Sequence, residues 1–532
     1  MGRVARMVVL VAAVAAGALL LSDAPLIVPS SRVERNLGEF APGVQLVARA
    51  DPAALAVSLL ATALALVALL ERRRQPLERS ALLLCLAGTY IAALAGNAVL
   101  LFGGVEIANI GALLLAAGGA PRLRLRTRIA FAVQHASSLG LLVAAVALQA
   151  NLQTSDFTAV PATAMDWWIA GPWALTGVVR LLAPAALPGR PGRSVSPAWL
   201  AVGAAPCGLL VLLRVAQVSG TQMPAGVAAW LVGVGLGAAL WGAVRAARRW
   251  RVPAAAGRGL ALSAAGQAIA LVGAGTPAAV SGMAAFGLAL VLGLAAAPAW
   301  GAGGDEGTGR AAAWVRAAAL AGMGGLPVGF GTTAALLGTG AVAAEGLPRS
   351  VVAVFAGGIA VLAAAAGGLA ARAALAAPSP QGRSRGPRWD AVVVLAVSGV
   401  AALLPGLAQT VFIAPVASAV GTVAGSIDVA TAVVPGAGWP GGYLTLAVLV
   451  ALAAAGSANS LQGWRLPPRE APLPAGATPT LAQVTAVPGR VAVPRAVART
   501  TRALAAVDAW LVEQPRLALV VAGAIACLFI FR

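Results

Sequence analysis

The sequence predicts an all-α fold, a polytopic transmembrane helix bundle of about fifteen spans with proline-broken helices. Three observations predict it. Apolar runs of about twenty residues, the length needed to cross a bilayer, recur along nearly the whole chain. Of 532 residues, 60% are hydrophobic and 10% charged, far more apolar than a soluble core requires. The 37 basic residues are all arginine and outnumber the 17 acidic ones, and those between the expected spans cluster in alternate loops.

The chain opens with MGRVARM and an apolar run to about Leu21. The charged start and hydrophobic middle would suit a signal peptide. The run continues into Ala-Pro-Leu-Ile-Val rather than a small-residue cleavage site, so a retained first span is expected, with an external loop completing residues 1–50. Spans are then expected near 51–71, 79–97, 98–118, 128–150, 167–186, 198–218, 226–246, 257–275 and 277–298. Five more are expected near 314–343, 350–376, 390–413, 441–457 and 516–531.

The arginines test this order. Arg72, Arg73, Arg74 and Arg79 fall in one loop, and Arg122, Arg124, Arg126 and Arg128 in the second loop after it. Arg190 with Arg193, Arg245 to Arg251, Arg310 with Arg316, Arg383 to Arg388 and the tail from Arg465 to Arg516 continue on that side. The intervening loops 151–166, 219–225 and 414–440 carry none. Cytoplasmic loops are enriched in arginine, so the expectation is an inner (cytoplasmic) membrane protein with its N-terminus inside and its C-terminus outside. Trp167, Trp168, Trp250, Trp300, Trp389 and Trp439 stand at span ends, where an amphipathic ring anchors in the interface.

Residues 301–310 and 378–388 are Gly-, Pro- and Ser-rich connectors. A transmembrane core is therefore drawn over 51–457, followed by a cytoplasmic Pro- and Arg-rich segment at 458–515 and a final span at 516–532. The last part of that segment has apolar residues at helical spacing between Arg495, Arg499 and Arg502, an amphipathic helix suited either to the anionic inner leaflet or to a partner subunit.

Several classes are excluded. The net charge of +20 is loop charge with a side, not a nucleic-acid surface. Cys85, Cys207 and Cys527 lie inside expected spans, which leaves neither a disulfide framework nor a zinc spacing. A single histidine, His135, rules out a cluster of imidazole metal ligands.

Glu106 is the residue that demands an account. It lies within ALLLCLAGTYIAALAGNAVLLFGGVEIANIGALLLAA, from Ala81 to Ala117, the sole acid in two spans' length. A carboxylate at that depth must be paired, solvated or protonated. Arg180 is a basic residue inside another span, one turn before Pro184. His135 sits beside Gln134, Ser137 and Ser138 on a small-residue face; it suits either a proton relay or a hydrogen-bonded helix contact. Asn97 and Asn109 are expected to bond between helices, and Asp166, Asp390 and Asp428 to be solvated.

Five segments in order resemble the antiporter-like membrane subunits shared by respiratory complex I (the N, M and L types of NADH-quinone oxidoreductase) and the multisubunit sodium/proton antiporters. The resemblance runs from about residue 80 to 375 and is nearest the N type. The first segment is that of Glu106. The second, ALTGVVRLLAPAALPG, places Arg180 on the family's basic position and Pro184 on its helix break. The third, SPAWLAVGAAPCGLLVLLRVA, carries Arg214 near its end. RGLALSAAGQAIALVG sets Arg258, Ser263 and Gln267 on a family pattern of arginine, serine and histidine or glutamine, and ALAGMGGLPVGFGTTAALL matches a second break at Pro327 with Phe330.

The resemblance implies a subunit of a complex I-like or antiporter-like assembly that passes protons or monovalent cations, with other membrane subunits and the bilayer as partners, and no cofactor or redox catalysis of its own. It places Glu106, Arg180, His135, Ser263 and Gln267 on the ion path. The family's relay lysines and histidine are missing, however. Met283, Gly287 and Thr333 stand at those positions, and arginine at position 180 keeps its charge at any physiological pH. Two further readings stay open: a Glu106–Arg180 pair that only holds helices together in a scaffold subunit, and a stand-alone transporter of a small solute or lipid.

Overall fold

The computed structural model describes residues 33–41, 44–69, 76–117, 125–186, 203–220, 223–275, 277–295, 310–324 and 349–376, with isolated positions between 397 and 418. The first span, Pro327, Phe330, Thr333, Asp390, Asp428, Cys527, most of the 390–413 span, and everything expected from 441 onward lie outside these residues.

The described residues form a β-hairpin followed by helices. Strands β1 (Val33–Ala41) and β2 (Val44–Ala50) pair antiparallel. The helices are α1 (Pro52–Leu69), α2 (Pro76–Ala93), α3 (Ala98–Ala117), α4 (Leu125–Leu152), α5 (Trp167–Ala186), α6 (Ala205–Ser219), α7 (Ala225–Arg248), α8 (Pro253–Ala274), α9 (Pro277–Ala295), α10 (Arg310–Gly324) and α11 (Arg349–Ala376). Ten of the expected spans therefore coincide with helices α1 to α9 and α11, and α10 begins four residues before the run expected at 314. Five helical stretches, at Ala98–Leu115, Phe131–Leu152, Ala225–Arg248, Pro253–Ala274 and Gly357–Leu375, are long and apolar enough to cross a membrane.

Local chemistry sets the helix ends. Proline opens α1, α2, α8 and α9, where its missing N–H costs nothing and its fixed φ favours the first turn. Asp51 Oδ1 accepts the Ala54 N–H at 2.7 Å to cap α1, and Asn97 Oδ1 accepts the Leu100 N–H at 2.9 Å to cap α3. At the far end of α8, Gly275 takes a left-handed φ of 73°.

Two expectations are corrected here. The all-helical class omits the hairpin, which occupies part of the expected external loop. Pro184 does not break its helix: α5 continues to Ala186, because a proline in the last turn forfeits a single backbone bond, to the Arg180 carbonyl, with little helix left to disrupt.

Successive helices pack antiparallel on small residues. In α2 and α3, a Cβ at Gly88 or Gly104 would strike the backbone of Ala108 or Ala92, and one at Gly111 would lie 2.6 Å from the Cys85 nitrogen. The α7/α8 pair repeats this: a Cβ on Gly242 would come within 2.5 Å of the Ser263 nitrogen, and one on Gly259 within 2.7 Å of the Ala246 nitrogen. In an apolar medium, close backbone approach of this kind supplies the dispersion contacts that hold helices together. Helix α8 packs against α5, α7, α9 and α11 and is the most enclosed of the five long apolar stretches, while the shorter α6 is buried along its whole length.

The alternation puts the α2–α3 junction and the α4–α5 loop at one end, with the hairpin. The three are tied by backbone bonds: Arg49 N to Leu94 O at 2.6 Å, Gly96 N to Val47 O at 2.8 Å, Phe157 N to Gly96 O at 3.0 Å and Ala98 N to Ser155 O at 3.2 Å. The arginine turn between α7 and α8 lies at the opposite end.

Candidate functional site

Glu106 lies eight residues into α3, about 12 Å from the hairpin end of that helix. Its side chain is 16% exposed and faces α4 and α5. From its own helix, one turn on, Asn109 Nδ2 donates to Oε1 at 2.9 Å. From α4, the Ser138 hydroxyl donates to Oε1 in a short bond, and His135 Nδ1 stands 2.6 Å from Oε2. From α5, Arg180 Nη2 is 3.7 Å from Oε1. The antiparallel packing of α3, α4 and α5 produces this convergence at one level of the bundle.

Arg180 is 1% exposed, and its direct bond goes not to the carboxylate but to Asn109 Oδ1, from Nη1 at 2.9 Å. Asn109 therefore bridges the two charges, accepting from the arginine and donating to the acid. Arg180 Nε and Nη2 have no hydrogen-bond partner. The expected pairing of Glu106 with Arg180 across facing helices is present, but it is loose and relayed through an amide. His135 is placed differently: its side chain is 47% exposed, it stacks parallel on Phe131 at 6.0 Å between centroids, and its Nδ1 reaches inward to Glu106. The Nδ1 position can donate to an ionised carboxylate or accept from a protonated one, so the pair can hold a proton on either side.

The remaining sequence candidates separate from this cluster. Ser263 and Gln267 lie one turn apart on α8, 1% and 3% exposed, and Ser263 Oγ and Gln267 Oε1 have no hydrogen-bond partner. Met283 is 1% exposed among apolar neighbours, and a Cβ at Gly287 would strike the Leu209 side chain, so these two positions are packed apolar here. Asn97 is corrected: besides capping α3, its Nδ2 donates to the Gln45 carbonyl of β2, tying helix to hairpin rather than helix to helix. Asp166 is exposed at the start of α5, as expected.

Two charge clusters at the hairpin end are absent from the sequence reading. Arg214 of α6, fully buried, donates from Nη1 to Asp51 Oδ2 at 2.5 Å and to Gln217 Oε1 at 2.6 Å, and from Nη2 to the Ala93 carbonyl at 3.1 Å. Its guanidinium lies 5.8 Å from the Phe157 ring centroid. Arg49 of β2, 2% exposed, donates from Nη2 to Glu34 Oε1 at 2.6 Å, to Asp156 Oδ1 and Oδ2 at 2.9 and 3.1 Å, and to Thr158 Oγ1 at 3.0 Å. Burial works to raise the Asp156 carboxyl; the Thr158 backbone N–H and the Arg49 guanidinium outweigh it and hold that carboxyl below its usual range. A usable signal was present: Arg49 and Arg214 stand toward the arginine-poor end, where an arginine implies a carboxylate beside it.

No protein-family model matches this sequence, and no curated protein matches it. Solved structures do. A chain of the Mrp complex from Dietzia sp. superposes with a TM-score of 0.66 at 18% identity, over 99% of this chain and 60% of that one. A chain of respiratory complex I from Thermus thermophilus with bound NADH gives 0.63 at 18% identity, over 79% of this chain and all of that one. A further chain of Thermus complex I, with bound aureothin, gives 0.55 at 18% identity, covering 76% of this chain and 92% of that one. This chain spans about three fifths of the Dietzia chain's length. With so little identity the likeness is one of fold, and it is the fold of membrane subunits of the Mrp complex and of respiratory complex I.

Proposed function

We propose that this chain is a membrane-arm subunit of a complex I-like or antiporter-like assembly, working beside other membrane subunits, and that Glu106 with His135 is its proton-exchanging pair. The observation that carries this reading is the 2.6 Å contact between His135 Nδ1 and Glu106 Oε2 at mid-span height. Arg180 stays charged and acts as a fixed counter-charge, so the titratable partner that the family supplies as lysine is supplied here by the imidazole. A proton arriving at Nε2 makes an imidazolium. The Nδ1 proton then passes to Oε2, leaving a neutral carboxylic acid and the Nε2–H tautomer of the ring.

Continuation toward α8 would run by way of Ser263 Oγ and Gln267 Oε1, whose unpaired oxygens suit bridging water. Fifteen spans, a cytoplasmic N-terminus and an external C-terminus complete the proposed arrangement, with the α7–α8 arginine turn inside. The four divisions drawn from the sequence, 1–50, 51–457, 458–515 and 516–532, belong to it as well.

The test is proton uptake into inverted vesicles carrying the assembly, comparing the unaltered chain with Glu106→Gln and His135→Gln at matched expression. Uptake is expected to fall at least tenfold in both, in keeping with loss of a positioned acid or base, with the assembly intact. Undiminished uptake in Glu106→Gln rejects the relay. A scaffold role is the second reading, favoured by the apolar packing at Met283 and Gly287, and it predicts unchanged uptake in both variants.

A further inference from the structure

The outer face of α7 combines two features that the relay does not use. Along one stripe of this helix stand Trp230, Gly233, Gly237, Trp241 and Arg248, spaced close to whole turns. Trp230 is 36% and Trp241 58% exposed, and a Cβ placed on Gly233 or Gly237 would meet nothing within 4 Å. The face is a smooth channel between two indole rings, open to the hydrocarbon. It ends on crowded positive charge: Arg245, half-exposed on α7, and Arg258, half-exposed on α8, each lie within electrostatic reach of Arg249 in the turn between the two helices. Arg251 lies over the Trp250 ring at 5.1 Å from its centroid, which sets this turn at the level of an interfacial aromatic.

The sequence sharpens the imbalance. From Trp167 to Gly304 there is no acidic residue and there are nine arginines, five of them between Arg245 and Arg258. Like charges held this close favour a shared anion. The geometry supplies a length as well: eleven residues separate Gly237 from Arg248, about 16 Å of helix, close to the ~15 Å half-thickness of a bilayer core.

We propose that this face is a binding site for an anionic phospholipid. The phosphate is held by Arg245, Arg248 and Arg249, with Arg258 adding its charge, and one acyl chain lies over Trp241 onto the Gly237 floor. Arginine forks suit phosphate oxygens, and in the orientation proposed above, on which this rests, a basic cluster between span ends faces the leaflet that carries anionic lipid.

The test uses the full purified chain in detergent, with retained lipid read by native mass spectrometry after addition of phosphatidylglycerol or phosphatidylcholine. The unaltered chain is expected to retain phosphatidylglycerol preferentially. The R245Q/R248Q/R249Q variant is expected to lose that preference by on the order of 100-fold, about five-fold per arginine. R72Q/R73Q/R74Q, which removes as much charge from another loop, should leave it in place. Gly237→Trp, which fills the floor and leaves the arginines intact, should weaken retention as well, and thermal unfolding confirms that each variant is folded. Equal retention of both lipids by the unaltered chain, or full retention by the triple variant, overturns the proposal. Displacement by millimolar inorganic phosphate alone would make this a free-phosphate site and also overturns it. So does protection of these arginines from phenylglyoxal by a co-purified membrane subunit without bound lipid, which would assign the face to a protein partner.

Discussion

Arg180 and Arg214 are both buried guanidiniums, and the structure treats them in opposite ways. Arg214 touches its carboxylate at 2.5 Å, places a second nitrogen on a backbone carbonyl and leaves only Nε without a hydrogen-bond partner; Arg180 keeps its acid at 3.7 Å behind an amide and leaves both Nε and Nη2 without one. A tight, direct pair fixes helices, whereas a loose one leaves the acid free to change state. Asp51→Asn is therefore expected to destabilise the chain by about 3–5 kcal/mol, the cost of stranding a buried charge, read as thermal unfolding in detergent. Glu106→Gln keeps two of its neutral donors and is expected to cost about 1–3 kcal/mol. If the two variants melt alike, the contrast between the pairs is wrong. Glu106 was legible in the sequence because an acid within an apolar run is conspicuous. The Asp51–Arg214 pair was not, since 163 residues separate its members and Asp51 reads as a helix cap, which it also is.

At the scale of elements, hydropathy located α1 to α9 and α11 because each is an apolar run closed by arginine, proline or glycine. The hairpin was illegible for a related reason. β1 is exposed from Glu34 to Phe40, and the polar residues Glu34, Asn36 and Gln45 mask the alternation. The dipeptide Pro42-Gly43 between two Val-bearing runs was the available turn signal. What hydropathy cannot reveal is which helices touch, and here glycine decides it. Gly242→Leu places a side chain where a Cβ alone would lie 2.5 Å from the Ser263 nitrogen and 2.6 Å from the Gly259 oxygen, so α7 and α8 must separate. The expected result is loss of folded protein, a cost of about 3 kcal/mol or more, seen as aggregation in size-exclusion chromatography. Gly233→Leu, on the open face of the same helix, is expected to be tolerated; equal behaviour of the two would refute the packing argument.

At the scale of the molecule, the two ends carry charge differently. Among the described residues, the α7–α8 turn gathers several arginines, while at the hairpin end Arg49 and Arg214 are neutralised by carboxylates drawn from other elements. Arg49 joins β1, through Glu34, and the α4–α5 loop, through Asp156, to the strand that also bonds the α2–α3 junction. This clasp has a defined pH window. The Asp156 carboxyl is depressed below its unfolded value of about 3.9, so its contribution is fully present above that value and is lost as pH falls through the lower, folded one. The clasp should therefore stay shut from neutrality down to about pH 5 and loosen only below about pH 4. Hydrogen exchange over residues 44–50, corrected for the intrinsic rate at each pH, is expected to show protection that is flat above about pH 5 and falls only below about pH 4. Arg49→Gln removes the hub of the network and should bring the low-pH exchange pattern to neutral pH. Protection that declines already between pH 7 and 5 would instead place the controlling titration on a group other than this carboxylate.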